Sequence, residues 1–298
     1  MLPKNRLFKD NQSEMVSHMR VEKVMTTEID FVTVPGSRED VLVKIKETGH
    51  MGFPVVKRGT KKLVGFISRS DIMRHPGEDQ LGLIMTRDPL AVRRSTQVAK
   101  AAEKMLAFEY LRLPVVEGDD LVGIITVTDI VEKVIMDLPS DMSIEPLIKR
   151  RVTCVWDKTP LTIALEIMKH AKKEVVPVLD DNGNLTGVVG TDEFIKELEI
   201  VSERKKSSIT SGGESEKWAW DAGGILYITK RTLKLPDKQV REIMIKDVIT
   251  AIEQNSVVEV AKTMTEKGLD QMPVLDATGE IIGVIRKLDL LKAILPKE

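Results

Sequence analysis

Two stretches of this chain set a hydroxyl three residues before a carboxylate, where an apolar strand gives way to a helix. They are Gly65-Phe66-Ile67-Ser68-Arg69-Ser70-Asp71 and Gly123-Ile124-Ile125-Thr126-Val127-Thr128-Asp129. A Ser or Thr at a helix N-terminus can donate to a phosphate oxygen, while the free N–H groups and the helix dipole favour the negative charge. The aspartate can accept from ribose hydroxyls, and a charge-assisted bond of this kind is roughly twice as strong as a neutral one. Ser68, Asp71, Thr126 and Asp129 are therefore candidate ligand-binding residues. Arg69 and Arg112 are the nearest cations for neutralising a phosphate. The same spacings also make plain helix caps, and either arginine can equally be solvated surface.

Two further stretches have the same frame with different chemistry. In Gly187-Val188-Val189-Gly190-Thr191-Asp192-Glu193 a glycine replaces the hydroxyl and Glu193 takes the aspartate position. In Gly283-Val284-Ile285-Arg286-Lys287-Leu288-Asp289 a long cation replaces the hydroxyl. Arg286 either grips a phosphate itself or fills the cavity. Ligand binding is therefore expected chiefly in the N-terminal half.

The elements that position these groups repeat four times. The tetrads FPVV, LPVV, VPVL and MPVL begin at Phe53, Leu113, Val176 and Met272, and each precedes its glycine across a polar turn. Two short strands and a turn follow from that pattern. Upstream of each tetrad, SREDVLVKIKETG, STQVAKAAEKMLAFEY, TPLTIALEIMKHAKK and SVVEVAKTMTEKG carry apolar residues at helical spacing. Ser37, Ser95, Thr159 and Ser256 are expected as their N-caps. Strand-like FVTV, LAV, VTCV and ITAI precede these caps, and a second short helix follows each glycine strand. Each repeat reads as strand, helix, strand, turn, strand, helix.

The tetrad prolines stand at 54, 114, 177 and 273, so only the last interval is long. The excess falls in 200–239, where SERKKSSITSGGESEKWAWDAGG reads as a polar loop before the strand-like ILYITKRTLKLP. A single repeat of about 55 residues exposes too much apolar surface to stand alone, so the repeats should associate in pairs. Two modules are expected, 21–138 and 144–298, after an extension over 1–20.

With 298 residues, 42% of them apolar and 31% charged, the chain can bury a sizeable core. Its apolar runs fall far short of the ~20 residues that cross a bilayer, and no export segment is evident at the N-terminus. A cytoplasmic protein is expected. The formal net charge of −1 gives no general basic field for nucleic acid, and the basic run ERKKSS at 203–208 reads as a solvated loop. Cys154 reads as packing material. Trp218 and Trp220 either bury one sheet face or cover a cleft. His18, His50, His75 and His170 show no shared metal-ligand spacing. No Ser–His–Asp order, paired acids or phosphate-binding glycine loop is found, so neither catalysis nor a metal is expected.

The fourfold register resembles the CBS domain, named for cystathionine β-synthase and usually paired into Bateman modules. The resemblance rests on the openings Val24-Met25-Thr26 and Ile84-Met85-Thr86, more loosely Ile148 and Ile243-Met244, together with the proline tetrads and glycine strands. It implies an α/β fold of four CBS repeats in two tandem Bateman modules, with repeats at 21–76, 81–137, 144–199 and 240–296. It also implies a non-catalytic regulator that binds AMP, ADP, ATP or S-adenosylmethionine between paired repeats, as in the gamma subunit of AMP-activated kinase, and signals to a partner. By the same resemblance the walls around the base come from Phe31, Val32, Phe53 and Pro54 in repeat one and from Leu90, Leu113 and Pro114 in repeat two, although each is equally suited to the core. A homodimer is open, and the regulated partner is not indicated. The alternatives are a ligand-free interaction scaffold and a nucleic-acid-binding regulator acting through the lysine-rich insertion.

Overall fold

A computed structural model describes residues 18–75, 77–138, 141–197, 199–208 and 225–295. Trp218, Trp220 and nearly all of the 1–20 extension lie outside them. The chain forms two compact units, one drawn from 1–149, 251–274 and 283–298, the other from 150–250 and 275–282.

In the first unit, repeat one runs through β1 (Val32–Val34), α1 (Arg38–Thr48), β2 (Gly52–Lys57), β3 (Leu63–Ser68) and α2 (Arg69–Arg74). β1 lies parallel to β2, and β3 returns antiparallel, with Gly52 opposite Ser68 and Phe53 opposite Ile67. Val32, Val41, Phe53, Val55, Ile67 and Ile72 close the core beneath this sheet. Burying one such side chain is worth roughly 1.5–3 kcal/mol. Repeat two begins with α3 (Leu81–Ile84) and β4 (Thr86–Arg87), then repeats the order with β5 (Val92–Arg93), α4 (Val98–Phe108), β6 (Arg112–Glu117), β7 (Asp120–Thr126) and α5 (Val127–Ile130). α5 continues directly into a π-helical turn, Val131–Ile135.

The repeats exchange their openings. β4, from the start of repeat two, pairs with β3 of repeat one, and Thr26, from the start of repeat one, bridges to Ile124 of β7. A methionine accompanies each crossing. A Cβ built on Gly123 would come 2.7 Å from Met25 Sδ, and one on Gly65 2.6 Å from Met85 Sδ. The glycines are therefore required for close approach of another segment, not for a turn.

The second unit holds β8 (Val155–Trp156), α6 (Leu161–Ala171), β9 (Val175–Leu179), β10 (Leu185–Gly190) and α7 (Thr191–Lys196) of repeat three. Its core gathers Val155, Leu161, Met168, Val176, Val178, Val189 and Phe194 with Val240 from the opening of repeat four. Met244 Sδ here stands 2.6 Å from a Cβ on Gly187, the same exchange again. Next come β11 (Glu199–Ser208) and β12 (Ile225–Lys234), an antiparallel two-stranded ribbon in continuous register from Glu199 opposite Lys234 to Ser208 opposite Ile225.

That ribbon corrects the expectation of a polar loop at 203–208. Charges mask the strand's period, and its hydrogen-bond partner lies on the far side of the 209–224 connection. Repeat four supplies β13 (Ala251–Ile252), α8 (Val257–Glu266), β14 (Gln271–Leu275), β15 (Ile281–Arg286) and α9 (Lys287–Leu290), in sheet order β13-β14-β15. In the first unit α4 packs against the 3-10 turn Leu291–Ile294, and α8 against the π turn of repeat two. Ala101, Ala102 and Ala261 allow that close approach.

Two expected caps are corrected. Ser37 and Ser256 do accept from the backbone N–H of Asp40 and Glu259. Ser95 and Thr159 do not cap, because those helices open at Gln97 and Pro160 without a side-chain bond. Their first N–H groups are satisfied from elsewhere in their unit: Val98 donates to Met19 O at 2.8 Å and Leu161 to Lys238 O at 3.0 Å.

Candidate functional site

At the β3–α2 junction the Ser68 hydroxyl accepts from the Asp71 N–H at 3.3 Å and donates to Asp71 Oδ2 at 2.6 Å. Asp71 Oδ2 also accepts from the Ser68 N–H at 2.9 Å. The β7–α5 junction repeats this: Thr126 Oγ1 donates to Asp129 Oδ2 at 2.6 Å, and the Thr126 N–H donates to the same oxygen at 2.9 Å. Both are complete capping boxes. The first helical N–H of each is taken by a carbonyl on the neighbouring connection, Arg69 by Met51 and Val127 by Leu111. Both hydroxyls thus hold the carboxylate, which leaves Oδ1 as the more available acceptor.

Surroundings separate the two sites. Asp71 Oδ1 has Arg74 at 3.4 Å, on an exposed side chain. Asp129 Oδ1 accepts from Thr26 Oγ1 at 3.1 Å and from Lys133 Nζ at 2.7 Å. Lys133 Nζ also donates to Val24 O at 2.7 Å. One ammonium therefore ties the opening of repeat one to the motif of repeat two. Neither Thr26 nor Lys133 was singled out in the sequence. The available signal for Lys133 was its place one helical turn after Asp129, where i and i+4 share a face.

Arg112 stands opposite Thr126 in β6–β7 and reaches Gly52 O of β2 at 3.4 Å. Burial pushes its guanidinium pKa down, and the nearby Asp270 carboxylate opposes that. The Arg69 guanidinium lies 3.9 Å from Met51 Sδ. Among the expected wall residues, Val32, Phe53 and Leu113 are core side chains, with Phe53 and Leu113 fully enclosed. Pro54 and Pro114 are buried in β2 and β6, and Leu90 is half-buried. Phe31 is 42% exposed. It lines a cavity of about 130 Å³ with Thr27, Ile29, Val56, Lys61, Leu121 and Val122.

The two divergent motifs satisfy themselves. In repeat three Glu193 reaches back to the Gly190 N–H at 3.0 Å and pairs with Lys196 at 3.2 Å. In repeat four Arg286 clamps Asp289 with two bonds, Nε to Oδ2 at 2.7 Å and Nη2 to Oδ1 at 3.1 Å. Its remaining nitrogen pairs with Glu109 Oε1 of α4 at 3.1 Å. These carboxylates push the Arg286 pKa up, the Asp289 hydrogen bonds most of all. Of the two readings of Arg286, the clamp is the one the geometry carries.

The CBS domain family model matches residues 21–78, 81–135, 144–200 and 240–296. A crystal structure of a conserved protein from Pyrococcus horikoshii superposes with a TM-score of 0.67 at 31% identity, over 93% of this chain and all of that one. The protein MJ1225 of Methanocaldococcus jannaschii is 23% identical over 84% of this chain and 90% of its own length. Its crystal structure, described as a candidate archaeal homologue of g-AMPK, gives a TM-score of 0.68 over 92% of this chain and 99% of that one. Among the described residues no helix is long and apolar enough to cross a membrane.

Proposed function

This chain belongs to the CBS-domain family, and on that premise we propose that it is a non-catalytic regulator binding an adenosine-type nucleotide between repeats one and two. The observation that carries the reading is the contrast among the four motifs. Asp71 and Asp129 each keep a hydroxyl partner and an oxygen facing only exposed or mobile-chain donors, whereas Asp289 is closed by a bidentate arginine and Glu193 is turned back onto its own helix. In this reading Asp71 and Asp129 accept from ribose hydroxyls, Ser68 and Thr126 meet phosphate, and Arg69 and Arg112 neutralise it. Phe31, Leu90, Pro54 and Pro114 bound the base, with Val32, Phe53 and Leu113 supporting them from the core.

Lys133 favours a phosphorylated ligand. Its ammonium beside Asp129 attracts phosphate and repels the sulfonium of S-adenosylmethionine. AMP, ADP or ATP is therefore proposed over S-adenosylmethionine, in a cytoplasmic energy sensor whose modules are 21–138 and 144–298. Ligand that breaks the Lys133 tie to Val24 would free the opening of repeat one, a local change able to bias a partner surface. A protein partner, and a homodimer, are the expected readers.

The self-satisfied motifs of repeats three and four favour a second role for that half, a ligand-free scaffold. Calorimetric titration of AMP, ADP, ATP and S-adenosylmethionine into wild type, Asp71→Ala and Asp129→Ala tests the whole reading. Binding weakened in either variant supports it; no binding by the folded wild type overturns it in favour of the scaffold.

A further inference from the structure

We propose that the β11–β12 ribbon is a docking element for duplex DNA, acting through one of its two faces. Directly opposed residues of an antiparallel pair share a face, and faces alternate along each strand. One face carries Glu199, Glu203, Lys205, Lys230 and Lys234, with Glu199 opposite Lys234 and Glu203 opposite Lys230. Opposite charges set across from one another in this way offset each other. The other face carries Arg204, Lys206 and Arg231, no acidic residue, and Tyr227 opposite Lys206. In a chain of formal net charge −1, the ribbon thus places its acids on one face and leaves the other purely cationic.

Shape selects among polyanions. Ten-residue strands make a ribbon about 34 Å long, with Arg204 and Lys206 about 7 Å apart on one edge. The sheet has two strands only, and the B-DNA major groove, about 12 Å wide, admits a two-stranded ribbon. The major groove of duplex RNA is too deep and narrow for it. The three cations lie between the CBS segments 144–200 and 240–296, so the inference stands apart from the adenosine reading.

The test is fluorescence anisotropy of a labelled DNA duplex with the full chain over about 50–200 mM salt, where three phosphate contacts give a log–log slope near −2.7. Arg204→Ala/Lys206→Ala/Arg231→Ala should weaken binding at least tenfold at the low-salt end and flatten that slope by about three units. Lys205→Ala/Lys230→Ala/Lys234→Ala, on the opposite face, should cost less than about threefold and keep most of the slope. Unchanged melting temperatures and adenine-nucleotide titrations establish that both variants are folded. The proposal is overturned if wild type shows no salt-dependent DNA binding, if the two faces lose equally, or if duplex RNA or polyglutamate binds as well as DNA.

Discussion

Thr26, at the opening of repeat one, donates its hydroxyl to the Asp129 carboxylate of repeat two at 3.1 Å. The bond joins residues 103 apart in the chain, so the state of the second motif is linked to the strand that enters the first repeat. Thr26→Val should cost about 0.5–1.5 kcal/mol in urea denaturation, the usual net worth of one hydrogen bond. Thr26→Ser, which keeps the donor, should recover most of it. Equal losses in both variants would assign the effect to packing instead.

Lys133 makes the sharpest functional prediction. Lys133→Met should weaken AMP binding by about tenfold, the order of one charge-assisted hydrogen bond, while leaving S-adenosylmethionine unaffected or tighter. Parallel calorimetry of both ligands reads the split. A uniform loss would mean that Lys133 supports the fold of the site and does not select its ligand.

Close approach governs Gly123. An added Cβ would meet Met25 Sδ at 2.7 Å and Thr26 O at 3.1 Å. Gly123→Ala should therefore destabilise by about 1–3 kcal/mol through overpacking. Met25→Ala clears the sulfur, so the double variant should be less destabilised than the two single effects added together, a coupling that a double-mutant cycle measures directly. Strict additivity would show that Met25 moves aside at no cost.

In repeat four Asp289 is fully buried, and Arg286 supplies both of its short charge-assisted bonds, with Lys149 farther off at 3.9 Å. Removing one partner of a buried pair costs about 3–5 kcal/mol, because the other charge is left behind. Arg286→Ala should approach that loss in chemical denaturation. Adding Asp289→Asn, which removes the stranded charge, should restore part of it. If Arg286→Ala is harmless, the clamp is not what holds repeat four to α4.

Much of this protein was legible in residue order because the relevant physics is local. The proline tetrads, the glycine strands and the S-x-x-D and T-x-x-D spacings are each fixed within a few residues, and β2–β3, β6–β7 and the capping boxes at Ser68 and Thr126 lie where those spacings put them. Caps were read less well where the answer was not local. Ser95 and Thr159 have the right chemistry, but the N–H groups they would satisfy are already taken by Met19 and Lys238. The ribbon was missed for the same reason, since a charged strand is recognisable only with its partner beside it.

The sequence alone determined four copies of one α/β repeat, two of them with a complete hydroxyl–carboxylate motif, because short-range periodicity and cap chemistry specify both. Tertiary structure decided the rest: that each methionine of Met25, Met85 and Met244 lies over another repeat's glycine, that Lys133 closes on Asp129 and Val24, and that Arg286 turns inward onto Asp289. The first two are contacts between segments distant in the chain, and which of them form depends on packing that no local spacing records. The third is local in sequence, yet a guanidinium can turn to solvent, to a ligand or to its own helix, and only the burial of Asp289 selects among them.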